Sequence, residues 1–168
     1  MVFGWSFGND KFYEESAQNL VKSASVFAAS STITVMDSVP LIDRYFKTRV
    51  LSTDAWDFYI TIASVGTAFI TVADYVPKEK RENVCTKIGE ELVKFHPKGY
   101  LALENLSGLL RNYCDAGIPF HNAVGHWLSI NLLEKSKPDE EDIAAFSVVG
   151  ALIQQSFGSW FKKNKKSV

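Results

Sequence analysis

Residues 56–76 read WDFYITIASVGTAFITVADYV, and the reading of this run decides the fold. Between Asp57 and Asp74 it has no charge, and apolar or small residues fall on every side of a helical projection. That pattern marks a helix surrounded by protein rather than one lying on a surface. Thr53 or Asp54 is expected to open it, and Pro77 stops it. The uncharged part, 58–73, holds 16 residues, and a second such run at 23–36 holds 14. A spanning helix needs about 20 mostly apolar residues. The longer run is also flanked by aspartates instead of the Lys or Arg of a membrane boundary. No membrane span is expected, and the run is read as buried core.

Working outward from this helix, the remaining periodicities are also helical. On the N-terminal side, Asn9 or Asp10 suits a cap, and Tyr13, Ala17, Leu20, Ala24 and Phe27 recur at three- and four-residue steps. The β-branched run at 31–35 is locally strand-like and has no evident partner, so it reads as a strained helix end or an extended link. Leu41, Ile42, Tyr45 and Phe46 suggest a short amphipathic helix after Pro40.

On the C-terminal side, Val84, Ile88, Leu92 and Phe95 form a narrow stripe on an otherwise charged surface helix. Leu103, Leu106, Leu109, Leu110 and Tyr113 share one side of the next helix. Gly117 is a natural end for it, and Pro119 suits the first turn of its successor. The segment from Ser136 through Pro138 to Asp142 combines cap, proline and acidic first turn, a strong helix start. The last helix buries Ile143, Phe146, Val149, Ile153, Phe157 and Trp160. The fold class expected is all-α: an irregular bundle of six or seven helices around the buried central helix. It forms a single domain over 1–168, with 1–9 as an N-terminal arm and 162–168 as a basic tail.

Composition excludes several functions. The formal net charge is −1 over 168 residues, so the general basic excess of a nucleic-acid binder is missing. Cys85 and Cys114 have no neighbour at metal-ligand or redox spacing and read as reduced, half-buried thiols. With no secretory signal at the start, a cytoplasmic protein is expected. There is no Gly-x-Ser-x-Gly, no phosphate loop and no dinucleotide fingerprint. His121 and His126 are five positions apart, which at about 100° per residue separates them by about 140° around a helix. They cannot grip one ion together, so no metal and no cofactor is expected.

Three functional readings remain. The first is a non-enzymatic binding module that meets a protein partner or associates with itself. Its interface would lie on 23–36, through Val26, Phe27, Ile33 and Met36, because this segment has no charge on any face. The second is an enclosed pocket for an apolar or cofactor-like ligand near Trp127 and Asn131, since Asn131 projects into the apolar arc of its helix. The third is an enzyme using His126 as a base. It projects onto a polar face with Asn122 and Ser129 and would need an orienting carboxylate such as Glu104 or Asp115. The basic tail from Lys162 to Lys166, beside Trp160 and Phe161, would suit an anionic surface or an acidic partner.

Overall fold

The computed structural model describes the backbone of residues 2–163 and the side chains of 11–163. Within these residues the chain is helical with no strand. The order is α1 (Val2–Ser38), α2 (Pro40–Lys47), α3 (Thr53–Ile70), α4 (Val72–Tyr75), α5 (Arg81–Phe95), α6 (Gly99–Asp115), α7 (Phe120–Leu133) and α8 (Glu140–Phe157). A 3₁₀ turn, Lys78–Lys80, leads into α5. Because α4 is a one-turn continuation of α3 beyond Thr71, the described residues form seven helices, within the six or seven expected.

α1 corrects the reading of 31–35. These residues are helical, and α1 runs unbroken to Ser38. Burial overrides their β-propensity. Ala24, Ala28, Ser31 and Val35 lie on one covered face, and the Trp56 Nε1–H donates to the Ala28 carbonyl at 3.3 Å. The Ser31 hydroxyl donates to the same carbonyl at 3.1 Å, so a polar residue on that face needs no outside partner. The expected arm is corrected too: from Val2 onward its backbone belongs to α1, so Asn9 and Asp10 lie inside the helix instead of capping it.

At Val39 the chain turns by 112°. Val39 is extended (φ −126°, ψ 93°) because a residue before proline avoids helical geometry, and Pro40 then opens α2 at its first turn.

α3 is the enclosed helix. Trp56 and every residue from Ile60 to Ala68 are buried. Ser52, rather than Thr53 or Asp54, is its cap, accepting from the Ala55 N–H at 3.1 Å. Thr61, Ser64 and Thr67 donate to the carbonyls of Asp57, Ile60 and Ala63 at 2.6–2.8 Å, which satisfies each buried hydroxyl inside the helix. Taken together, Thr53–Tyr75 is long and apolar enough to cross a membrane, and 67% of its most apolar window is buried in the fold.

Around α3, α5 packs on α1, while α6, α7 and α8 pack on α3. α7 and α8 approach so closely that glycine is required at two points. A Cβ on Gly125 would meet the Ser147 backbone at 2.6 Å, and one on Gly150 would meet the His121 carbonyl oxygen at 2.4 Å. α8 begins one turn later than Ser136, at Glu140, behind a reciprocal capping box between Asp139 and Asp142. After α8, Phe161 is fully buried and the Trp160 Nε1–H donates to the Ser16 carbonyl at 2.8 Å, tying the chain's last described segment to α1. Lys162 and Lys163 are exposed, and the rest of the basic tail lies outside the described residues.

Candidate functional site

The structure separates the residues singled out for an interface on α1. Val26 and Ile33 point outward, 62% and 72% exposed. Phe27 turns inward and meets the Phe157 ring edge-on at 5.4 Å. Met36 is half-buried and Val35 fully buried. One continuous apolar face through all of them does not exist, because residues 26 and 27 lie about 100° apart on a helix.

Trp127 and Asn131 are occupied by their own fold. Trp127 is buried and meets Tyr59 edge-on at 5.5 Å. The Asn131 amide donates to the Trp127 carbonyl at 2.8 Å, so its nitrogen is satisfied within α7.

His126 is half-buried rather than on a fully solvated face. α7 is enclosed by α3, α6 and α8, and Ser129, projected beside His126, is fully buried with its hydroxyl on the Gly125 carbonyl. His126 Nδ1 is hydrogen-bonded to the Tyr113 hydroxyl of α6. Burial pushes the imidazole below its ordinary value and the phenol above its own, so both are neutral near pH 7. The pair borders a cleft of about 350 Å³ with Asn122, Glu140, Ile143 and Ser147. The Ser147 hydroxyl is spent on the Ile143 carbonyl at 2.6 Å. The residue that meets the imidazole is a tyrosine, not Glu104 or Asp115.

A second polar cluster is buried where α2, α7 and α8 meet. Asp142, 1% exposed, accepts from the Tyr45 hydroxyl at 2.5 Å and from Lys135 Nζ at 3.0 Å. Burial drives its carboxyl up, but these two donors outweigh burial and hold it below the usual carboxylate range. All of its strong partners are internal, and the cluster closes the bundle's end.

A larger hollow is a groove between α5 and α6. Two adjoining hollows of about 720 and 410 Å³ share Phe69, Cys85, Ser107 and Arg111 and form one channel. It exists because α5 leans on α1 and α6 on α3, and the two helices touch closely only near their connecting loop, where Gly99 fits against the Leu92 carbonyl. Phe69, Leu103 and Leu110 make its floor. Gly89 and Gly108 thin its walls, and a Cβ on Gly108 would meet nothing within 4 Å. Val93 and Tyr100 are exposed at one end, 63% and 50%.

Charge along the groove is graded. Glu90 and Glu104 lie toward the loop, Arg81 and Arg111 toward the far end. Arg81 is engaged with the carbonyls of Val76 and Ala73, each at 2.8 Å. The Ser107 Oγ is shielded from water and has no hydrogen-bond partner among the described residues. Both thiols line the channel. Cys85 is half-buried as expected, and burial pushes its thiol up, whereas Cys114 is exposed.

Sequence reasoning missed this groove. Its signal was two glycines inside helical patterns, Gly89 and Gly108, each costing about 1 kcal/mol against alanine. No protein-family model, curated protein or solved structure matches the chain, so the reading of the groove rests on its geometry and chemistry.

Proposed function

We propose that this chain is a non-enzymatic binding module whose α5/α6 groove receives a helix from a protein partner. The observation that supports this is the preformed channel itself, with an apolar floor, glycine-thinned walls and opposite charges at its two ends. A docking helix is a cylinder about 10 Å across, recognised through apolar anchors at helical spacing with charges at the rim. Leu103 and Phe69 supply the anchor surface, and the rim charges set the direction in which the partner lies. The neutral Tyr113–His126 pair and the Asp142 cluster act in this reading as interhelical ties.

Photocrosslinking tests it. A benzoylphenylalanine placed at Val93, which is exposed on the groove wall, is expected to give a discrete protein adduct in the cells that make the chain. The same group at Val148, exposed on α8 away from the groove, gives none. Equal labelling at both positions, or no adduct at Val93, overturns the proposal.

A further inference from the structure

The groove has an internal symmetry that names an occupant. On α6, Glu104 and Arg111 are seven positions apart, about 10 Å along the same face. Both are exposed, and neither forms an ion pair among the described residues. Midway between them are Ser107, with its unpartnered hydroxyl, and Gly108, with open space where a side chain would stand. A two-fold axis passing between Ser107 and Gly108 exchanges Glu104 with Arg111. An antiparallel copy of α6 laid in the groove therefore places its Arg111 on this chain's Glu104 and its Glu104 on this chain's Arg111.

We infer that the groove is occupied by α6 of a second copy of this chain, forming an isologous dimer. The inference rests on the docking reading above. Two-fold interfaces require self-complementary surfaces, and this one pairs opposite charges twice about a single axis. Gly108 sits beside the axis, where the absence of a side chain lets two backbones come close, and it lies across from position 107 of the other copy.

The test is charge reversal and its rescue. Light scattering coupled to size exclusion is expected to give a dimer for the native chain. Glu104→Arg and Arg111→Glu each set like charges together twice, raising the dissociation constant by about tenfold or more. The double variant restores opposite pairing and dimerises like the native chain. Both side chains are exposed, so folding is unaffected, and circular dichroism checks this. Gly108→Trp, which fills the crossing, is expected to leave a folded monomer. A native chain that is monomeric at all concentrations, or a dimer indifferent to both reversals, overturns the inference. A Val93 adduct with a different protein also overturns it while leaving the docking reading intact, and absence of any Val93 adduct removes both.

Discussion

Alanine introduced at three helical glycines is expected to change stability in opposite directions. In a helix interior, glycine to alanine is worth about 1 kcal/mol of stabilisation, because the unfolded chain loses freedom. At Gly108 a Cβ meets nothing within 4 Å in its own chain, so Gly108→Ala keeps that whole gain when read on the dissociated chain at low concentration. At Gly150 the same Cβ lands 2.4 Å from the His121 carbonyl oxygen and 3.2 Å from its carbon. Those atoms are backbone and cannot rotate away, so α8 must move about 1 Å from α7. Opening a packed interface by that distance forfeits a quarter to a half of each contact's attraction. Overpacking of this kind costs about 1–3 kcal/mol, and the propensity gain offsets only about 1 of it. Gly150→Ala is therefore expected to destabilise by up to about 2 kcal/mol, and Gly125→Ala, against the Ser147 backbone, by a similar amount. Urea titration reads the difference as a shift in midpoint at unchanged slope. If Gly150→Ala matched the stabilisation of Gly108→Ala, the close α7–α8 packing would be refuted.

Three further outcomes are expected. Tyr45→Phe strands one oxygen of buried Asp142 and should cost about 1–2 kcal/mol at neutral pH. Because the Asp142 carboxyl is held low, its contribution is present above about pH 4 and lost as pH falls through the depressed value, so the variant and the native chain should converge in acid-denaturation curves. The His126 imidazole is also held low, so the native chain should lose stability as pH falls below about 6.5, and thermal midpoints of His126→Phe should show a flatter dependence there. Cys114, exposed, should react with an alkylating reagent well before Cys85, whose half-buried thiol is pushed up, and mass spectrometry of a timed reaction would expose the reverse order.

What was legible in the sequence was what depends on one helix at a time. The run at 56–76 is apolar on all sides, and such a helix has only one stable place, the middle of the bundle. The stripe of Leu103, Leu106 and Leu110 likewise names its own buried face. Prediction failed where a second helix decides the outcome. The 31–35 run looked extended by propensity, yet the covered face that includes Val35 and the hydroxyl bonds of Ser31 and Thr32 to the Ala28 carbonyl keep it helical. His126 projected onto a polar face, but a projection cannot reveal that Tyr113 of α6 covers it. The groove was invisible for the same reason. Nothing in the spacing of Glu104, Gly108 and Arg111 along one helix reveals a groove until the spacing of α5 and α6 is known.

The bond from Trp160 to the Ser16 carbonyl spans 144 residues of chain, and it has a consequence for synthesis. At roughly 5–20 residues per second, the segment that covers α1 emerges about 7–30 s after the helix it must cover. Until then Phe27 and the Ser16 carbonyl lack their partners, while α3 and α5 can already pack on the same helix. A chain ending before Phe157 would leave that side of α1 open for good, however well the rest of the bundle had closed.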